Sequence, residues 1–317
     1  MTLFFFIATT AHAQIESLRV PDGFVVERVA GPPLLERPML GSFDDRGRLY
    51  VADSSGTNLP GADLLKNPPH CVRRLEDTNG DGIFDRSTVF ADKMVFPEGV
   101  VWHNGSVYVS SPPNFWRLQD TDGDGIADKR EILASGFAVS GISDDMHGGS
   151  LGPDGRIYWF AGRLPHEIKN RDGKLLHQGR WPLMLRCRPD GSELESVCGV
   201  HGNCVGAAFT PEGEAFACGT FYGSMGIGLR DAIIHCVEGA EYPVLDLGIS
   251  NEHKHTGELM PALTHFGVSA ASGLTIYRGE NFGTNFHGNL FSAHFNMHKI
   301  VRHAINFAGN HCASAAK

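Results

Sequence analysis

The sequence has little positive charge and no long basic stretch that could neutralise a phosphate backbone. Among its 317 residues, 27 Lys and Arg stand against 36 Asp and Glu, which gives a formal net charge of −9. Proteins that bind nucleic acid instead concentrate Lys and Arg on one surface. The composition therefore predicts that the protein does not bind nucleic acid.

The sequence also lacks an apolar run of the roughly 20 residues that are needed to span a bilayer. A short apolar stretch does open the chain, and it ends at Ala13 in the small-x-small pattern that signal peptidase cuts. No Lys or Arg precedes this stretch, although signal peptides usually have one there. We predict a signal peptide at residues 1–13. The mature chain is then secreted across the inner membrane, to the periplasm or cell surface, and has no transmembrane segment.

Paired C-x-x-C motifs for zinc and the C-x-x-C-H motif of covalent haem are absent as well. The seven cysteines are an odd number and are spread widely along the chain. One or two disulfides among Cys187, Cys198, Cys204, Cys218 and Cys236 would fit an oxidising compartment. Free thiols, buried in strands as small hydrophobic groups, are the alternative that the sequence leaves open.

What the chain does contain is a repeated pattern of glycine, two variable or aliphatic residues and an aromatic residue. The repeats begin at Gly47, Gly105, Gly155, Gly213 and Gly288, which are 58, 50, 58 and 75 residues apart. A tight turn and a short apolar run precede most of them, so each unit predicts strand, turn and strand. Further strand pairs follow, and helical periodicity is nearly absent. Four-stranded units of about 50 residues predict an all-β fold, a β-propeller, over residues 14–317.

Five blades are visible, and an additional strand, residues 24–29, precedes the first. In propellers such an early strand commonly forms the outer edge of the last blade, because an unpaired edge is unfavourable. Its partners would then lie beyond Lys317. We therefore expect an incomplete ring of the six-bladed, TolB-like type.

An acidic nine-residue turn occurs twice, at residues 77–85 and 120–128, with seven of nine positions identical. Oxygen ligands at alternate positions with glycine between them are typical of a calcium loop. The second turn fits this loop well, and the first is its weaker copy with Thr88 at position twelve. The predicted ligands of the second turn are Asp120, Asp122, Asp124, the Ile126 carbonyl, Asp128 and Glu131. Those of the first turn are Asp77, Asn79, Asp81 and Asp85. A turn rich in Asp and Gly for backbone reasons alone is the alternative.

Several segments together resemble the N-terminal propeller of the membrane-bound dehydrogenases of planctomycetes and verrucomicrobia. These proteins are themselves similar to the soluble PQQ-dependent glucose/sorbosone dehydrogenases. The segments that carry the resemblance are residues 77–99, 120–133, 147–155, 261–265 with 272–277, and 288–296. The resemblance spans most of residues 20–305 and implies the propeller fold more strongly than any one reaction.

The resemblance implies a general base in His147, with Asp145 beside it, and a quinone contact in Asn203. The chain departs from the PQQ enzymes in two places. It has no Arg before Asn203 and no Lys in residues 290–296. Those two cations would bind the quinone carboxylates, so their loss argues against PQQ. Longer relatives also carry a haem c domain, which would make that domain or a cytochrome the electron acceptor.

Two functions therefore remain open at the level of sequence. The first is an extracytoplasmic oxidoreductase that oxidises a sugar or another alcohol, with His147 as base and a PQQ-type quinone or haem-linked acceptor. The second is a non-catalytic propeller, stabilised by Ca²⁺, that binds carbohydrate or protein. Fold alone does not choose between them.

Overall fold

The structure is a computed structural model that describes residues 18–141, 144–200, 202–222, 228–243, 256–308 and 311–316. Within these ranges the chain is almost entirely β-sheet. The described helices are α1 (Gly61–Lys66) and a single 3-10 turn at Phe295–Met297. The strands form five sheets, which are the blades of a propeller. The prediction of an all-β propeller with five visible blades is confirmed.

Each blade contains four antiparallel strands, numbered in chain order. Blade 1 contains β1 (Pro38–Phe43), β2 (Leu49–Asp53), β3 (His70–Glu76) and β4 (Arg86–Met94). Blade 2 contains β5 (Gly99–His103), β6 (Ser106–Ser111), β7 (Asn114–Gln119) and β8 (Lys129–Ser135). Blade 3 contains β9 (Met146–Leu151), β10 (Ile157–Ala161), β13 (Leu183–Cys187) and β14 (Glu195–Gly199). Blade 4 contains β15 (Asn203–Phe209), β16 (Ala215–Thr220), β17 (Asp231–Cys236) and β18 (Thr264–Gly267). Blade 5 contains β19 (Ala271–Ile276), β20 (Leu290–His294), β21 (Lys299–Ala308) and β22 (His311–Ala316).

The repeated glycine lies in the turn that joins the first two strands of a blade. Gly155 is representative: its N–H donates to Gly152 O at 3.0 Å. Its φ is 76°, a left-handed conformation that other residues adopt only with strain. The aromatic residue of the repeat then falls in the second strand, as Tyr158 does in β10. The sequence pattern therefore marks the inner hairpin of each blade.

Apolar side chains fill the spaces between neighbouring blades. Between blades 2 and 3, the rings of Phe115 and Trp159 stack with centroids 3.9 Å apart and planes inclined by 6°. Trp159 and Phe115 are both completely buried. The first strand of each blade is innermost, since extensive packing runs from β1 through β5, β9 and β15 to β19. Within the described ranges, no packing of that extent joins β19 to β1.

Blade 3 contributes an extra hairpin to the sheet of blade 2. The hairpin consists of β11 (His166–Asn170) and β12 (Leu175–Gly179), which lie between β10 and β13 in sequence. It extends the blade 2 sheet to six strands, in the order β12-β11-β8-β7-β6-β5. The pairing is antiparallel and aligns Lys169 with Ser135. The sequence repeat did not indicate this addition.

The early segment, residues 24–29, is not in a strand and pairs with no strand of the described part of the chain. It nevertheless contacts two blades. The Phe24 ring packs against Phe282 and Phe286 of blade 5, with centroids 5.1 and 5.3 Å apart. At its other end, Val29 O accepts a hydrogen bond from Phe84 N of blade 1 at 2.9 Å. The segment thus lies between the last and the first visible blades.

Six cysteines are described and all are free thiols, five of them buried. Cys312 lies outside the residues whose side chains are described. The sequence left disulfides and buried free thiols open as alternatives, and the structure shows free thiols. No helix within the described ranges has the length and apolar character needed to cross a bilayer.

Candidate functional site

The antiparallel order of the strands gives the propeller two faces with different residues. We define the upper face as the one at which the first and third strands of each blade begin. The lower face then carries the turns that join the first strand to the second and the third strand to the fourth. His147 and Asn203 lie at the upper face, because they occur at the beginning of β9 and β15. Both acidic turns join third and fourth strands, so they lie at the lower face.

His147 is buried at the upper face and faces a glutamate from the neighbouring blade. Its imidazole Nδ1 lies 3.3 Å from Glu98 Oε2, and the two side chains are 5% and 1% exposed. Glu98 directly precedes β5, the inner strand of blade 2. The backbones are joined at the same point, since Gly148 N donates to Glu98 O at 3.3 Å. An acid and a base from two blades are therefore held together by the inner strands.

The environment of Glu98 disfavours its ionised form. Burial raises the pKa of Glu98 well above 4.5, and the negative charges of Asp145 and Asp144 raise it further. Neither carboxyl oxygen has a hydrogen-bond partner of good geometry among the described residues. The contact with His147 thus has the distance of an ion pair without the alignment of a hydrogen bond. The neutral acid form of Glu98 is therefore favoured more strongly here than in a glutamate exposed to water.

Asp145, predicted as a catalytic partner of His147, instead binds the chain that leads into blade 3. Its carboxylate accepts hydrogen bonds from Ser140 N at 2.8 Å, Ser140 Oγ at 2.7 Å and Gly141 N at 3.4 Å. Burial raises the pKa of Asp145, and these hydrogen bonds oppose the rise. The carboxylate therefore fixes the segment beside His147, and Glu98 faces the imidazole.

Two arginines meet at the upper face around a single aromatic ring. Arg163 lies over Phe221 with its guanidinium carbon 4.0 Å from the ring centroid, and Arg230 lies at 4.8 Å. Arg163 also donates two hydrogen bonds to Asp144 Oδ2, at 3.0 and 2.5 Å. Phe221 has φ 66°, an outlier for a bulky side chain and a feature that is frequent at functional sites. Stacking on the ring orients both cations.

Asn203, predicted to contact a cofactor, lies beside this arginine pair. It is buried at the start of β15 and is aligned with Thr220, the residue before Phe221. Asn203 Oδ1 and Thr220 Oγ1 are buried and lack a hydrogen-bond partner within the described ranges. The two guanidinium groups and the Thr220 hydroxyl can donate to an anionic group such as a carboxylate, whereas Asn203 Oδ1 can only accept a hydrogen bond.

The second acidic turn brings three of its predicted ligands together at the lower face. Asp120, Asp122 and Asp124 each offer an oxygen within 4.8 Å of the others. Asp120 also accepts hydrogen bonds from Gly123 N and Gly125 N, at 2.7 and 2.8 Å. Arg74 of blade 1 provides one nearby cation, with Nη1 3.5 Å from Asp120 Oδ2.

The other predicted ligands of this turn have different neighbours. Asp128 accepts hydrogen bonds from the backbone N–H and the hydroxyl of Thr121. Glu131 lies on β8 with Oε2 3.6 Å from Arg117 and Oε1 3.5 Å from Lys129. The N–H of Ile126 donates to Asp124 at 2.7 Å. The turn therefore presents three grouped carboxylates, while the side chains of Asp128 and Glu131 have other partners.

The first acidic turn has the same fold with fewer charges. Asp77 accepts from Gly80 N and Gly82 N at 2.7 and 2.8 Å, as Asp120 does in the second turn. Asp85 accepts from Thr78 N at 3.1 Å and Thr78 Oγ1 at 2.7 Å. Asn79 donates to Asp81 at 3.0 Å, which uses an oxygen that a cation would need. Among the described residues, no three Asp, Glu, His or Cys side chains of this turn come together as those of the second turn do.

The family model of a domain of unknown function, DUF7133, matches residues 10–316. The chain belongs to this family. A search of curated proteins finds no match to the sequence.

Solved structures with the same fold as this DUF7133 chain include three sugar dehydrogenases or their domains. An oxidoreductase (glucose dehydrogenase) of Thermus thermophilus has a TM-score of 0.64 and 18% identity, with 92% of this chain and 86% of that chain covered. The PQQ-bound aldose sugar dehydrogenase of Streptomyces coelicolor has a TM-score of 0.62 and 17% identity, with 93% and 83% covered. The holo PQQ domain of Coprinopsis cinerea pyranose dehydrogenase has a TM-score of 0.60 and 13% identity, with 94% and 82% covered. Identities this low show the fold alone.

Sequence reasoning missed three charged residues of the upper face: Glu98, Arg163 and Arg230. Glu98 could have been found, since it directly precedes the inner strand of blade 2, as Asp145 directly precedes that of blade 3. Arg163 and Arg230 follow no motif. They come from loops of two different blades and meet only because Phe221 lies between them.

Proposed function

We propose that the upper face is the active site of an extracytoplasmic, dehydrogenase-like enzyme that oxidises a sugar or another alcohol. The observation that carries this proposal is His147, buried at the start of an inner strand with its Nδ1 3.3 Å from a carboxyl group. An imidazole in such a place can take the hydroxyl proton of an alcohol as a general base. The three solved structures with this fold are sugar dehydrogenases or their domains, which agrees with the proposed reaction class but does not by itself decide it.

The hydride of the reacting carbon also needs an acceptor, and a bound PQQ-type quinone would supply one. The residues of the upper face fit its anionic carboxylates. Arg163 and Arg230 provide two cations, and Asn203 provides a buried amide beside them. Each arginine also lies near an aspartate, Arg163 at Asp144 and Arg230 at Asp231, so a bound carboxylate would share the two cations with these side chains. A haem c domain or a cytochrome is the proposed onward acceptor.

The test is dye reduction by the purified protein after incubation with PQQ and Ca²⁺, with a panel of aldoses and simple alcohols. We expect activity with at least one aldose. In His147→Ala we expect kcat to fall by about 100-fold or more, the usual contribution of a general base. His103→Ala is the matched control, because His103 lies at the lower end of an inner strand. Full activity in His147→Ala would overturn the assignment of the base.

We also propose that the five blades belong to a six-bladed ring of the membrane-bound dehydrogenases that the sequence resembles. The acidic turns support this. Ala127 N, in the second turn, donates to Phe90 O on the outer strand of blade 1 at 2.7 Å. Phe84 occupies the position of the first turn that corresponds to Ala127, and its N–H donates to Val29 O. Val29 therefore corresponds to Phe90 of blade 1, as we expect if a further blade lies before blade 1.

We further propose that the protein acts outside the cytoplasm, in the periplasm or at the cell surface. Residues 1–13, the predicted signal peptide, lie outside the described residues. Expression of the chain with its own N-terminus, followed by N-terminal sequencing of the exported protein, tests this. A mature N-terminus at Gln14 supports the proposal, and an unprocessed cytoplasmic product contradicts it.

A non-catalytic, calcium-stabilised propeller that binds carbohydrate or protein is the second candidate function. The grouped carboxylates of Asp120, Asp122 and Asp124 favour it, because nearby like charges repel unless a cation lies between them. Failure of PQQ to bind at micromolar concentration, together with no dye reduction, would favour this candidate over the enzyme.

A calcium requirement is testable through stability. We expect Ca²⁺ to raise the Tm of the wild-type protein, since a ligand at 100 times its Kd stabilises by roughly 2.7 kcal/mol. The double variant Asp122→Asn with Asp124→Asn should lose this increase, because it removes two of the three grouped charges. Differential scanning calorimetry in Ca²⁺ and in EDTA measures the effect.

Asp172→Asn is the control for the calcium experiment, since it removes one charge from an exposed turn elsewhere. It should keep the wild-type response to Ca²⁺. An equal response in the double variant and in the wild type would show that the turn is an Asp- and Gly-rich hairpin without a bound cation.

A further inference from the structure

We propose that Glu98 is the residue that positions His147 and sets its proton affinity, so that the two side chains titrate as one unit. This inference rests on the proposed function, because it explains how His147 would become a base. Glu98 would not touch substrate. It would act through the imidazole, from the neighbouring blade.

The backbone holds the pair in place more firmly than two side chains alone could. Glu98 O accepts from Gly148 N, the residue after His147. On the other side, Ser110 Oγ donates to Gly148 O at 2.6 Å, within a completely buried contact. Gly99 allows this approach, since a Cβ built on it would be 1.7 Å from Gly148 O. The carboxyl and the imidazole are therefore brought together by the contact between β5 and β9.

The charged groups that face this pair have partners of their own. Asp144 is bound by Arg163, and Asp145 is bound by Ser140 and Gly141. Both carboxylates make a negative charge on Glu98 less favourable. Arg163 donates its hydrogen bonds to Asp144 Oδ2 and not to Glu98. His147 is the basic group in direct contact with Glu98.

The strands packed against β9 contribute further titratable groups that are directed elsewhere. Tyr108 and Tyr158 donate to Pro189 O and Asp154 Oδ2 at the lower face. The other two titratable side chains on these strands are His103 and Cys204. His103 lies at the lower end of β5, and Cys204 packs in the core between blades 3 and 4.

The proton count of the pair determines whether His147 can act as a base. With one shared proton, the pair is either a neutral acid beside a neutral imidazole or a carboxylate beside an imidazolium. When that proton leaves, the carboxylate favours the tautomer with hydrogen on Nδ1. The lone pair of the imidazole is then on Nε2, at the far side of the ring from Glu98. Nε2 can accept the hydroxyl proton of the substrate, and the resulting imidazolium is stabilised by the carboxylate. Activity should therefore rise with pH as the shared proton is lost.

The test is the titration of His147 by NMR in protein without cofactor or substrate. Histidine-labelled wild type, Glu98→Gln and Glu98→Asp are compared, and the His147 resonance is assigned by its absence in His147→Gln. Gln keeps an acceptor for Nδ1–H but removes the charge. We expect the apparent His147 pKa to fall by about one unit or more in Glu98→Gln, since a carboxylate neighbour favours the imidazolium by that amount. In Glu98→Asp, the His147 pKa should lie between those of Glu98→Gln and the wild type, because a carboxylate is still present.

Glu195→Gln is the matched control, because it removes a partly exposed carboxylate on β14 that pairs with Arg186. It should leave the His147 titration unchanged. If Glu98→Gln does not fold, the comparison of Glu98→Asp with wild type decides, since the shorter carboxylate must still alter the titration. An unchanged His147 titration in a folded Glu98 variant would overturn the inference.

The titration separates this inference from the proposed function. A lowered His147 pKa in Glu98→Gln without any dehydrogenase activity would support the coupled pair and reject its use in catalysis. Dehydrogenase activity with no change in the titration would uphold His147 as the base and reject the role of Glu98. If the protein is an active dehydrogenase and the His147 pKa also falls in Glu98→Gln, the pH at which kcat/KM rises should be lower in Glu98→Gln by the shift that NMR measures.

Discussion

Gly99→Ala is expected to prevent folding or to lower the free energy of unfolding by more than about 4 kcal/mol, a loss that few single substitutions reach. The added Cβ would lie 1.7 Å from Gly148 O and 2.3 Å from Gly148 C. Both atoms are backbone, so no flexible side chain can move aside. β5 and β9 are also held by antiparallel ladders to β6 and β10. The methyl group must therefore separate the inner strands of two blades.

The measurement is soluble yield, followed by urea unfolding if folded protein is obtained. Gly257→Ala is the matched control, because no atom lies within 4 Å of the added Cβ and the backbone has no left-handed φ. It should be as stable as wild type. If Gly99→Ala unfolds at the same urea concentration as the wild type, the inner strands of blades 2 and 3 can move apart with little loss of stability.

Trp159→Ala is expected to cost roughly 3–5 kcal/mol, the usual range for a large aromatic residue removed from a core. Trp159 is completely buried and stacks on Phe115 at 3.9 Å, in the core between blades 2 and 3. Removing it deletes this contact and leaves a cavity that two rigid sheets cannot close. Equilibrium unfolding in urea measures the loss.

Trp159→Phe should be much milder than Trp159→Ala. It keeps an aromatic ring against Phe115, and among the described residues the indole Nε1 has no hydrogen-bond partner to lose. Trp102→Ala provides a second comparison, because Trp102 is only partly buried at the edge of its cluster. If the Ala variants at positions 159 and 102 lose equal stability, the stacked pair is not the centre of this core.

Much of the fold follows from short-range patterns in the sequence. The turn at Gly155 and its counterparts require left-handed backbone, so they recur as glycine and mark one hairpin per blade. The acidic turns mark the third and fourth strands of two blades for the same reason. The partner of the β11–β12 hairpin was not predictable in this way. Its strands show the ordinary alternation of buried and exposed residues, and no feature of the nearby sequence indicates that β11 pairs with β8 of the preceding blade.

The candidate site was predictable only where a residue lies on a repeated strand. His147 and Asn203 begin inner strands, and the structure places both at the upper face. The partner of His147 comes from 49 positions earlier in the sequence, and the arginine pair comes from loops of two blades. Such residues have no motif, because their proximity arises from the packing of one blade on the next.

The β11–β12 hairpin, which belongs to the chain of blade 3 but extends the sheet of blade 2, affects how the protein unfolds locally. β8 would otherwise be an exposed edge, but Glu167 N donates to Gly136 O just after it, at 2.9 Å, and β11 covers its end. Blade 2 cannot separate from blade 3 without breaking the pairing of β11 with β8, since the covering strands belong to the chain of blade 3. Amide hydrogens of the two blades should therefore exchange with solvent deuterium in one cooperative event, and the pair of Glu98 and His147 lies inside that unit.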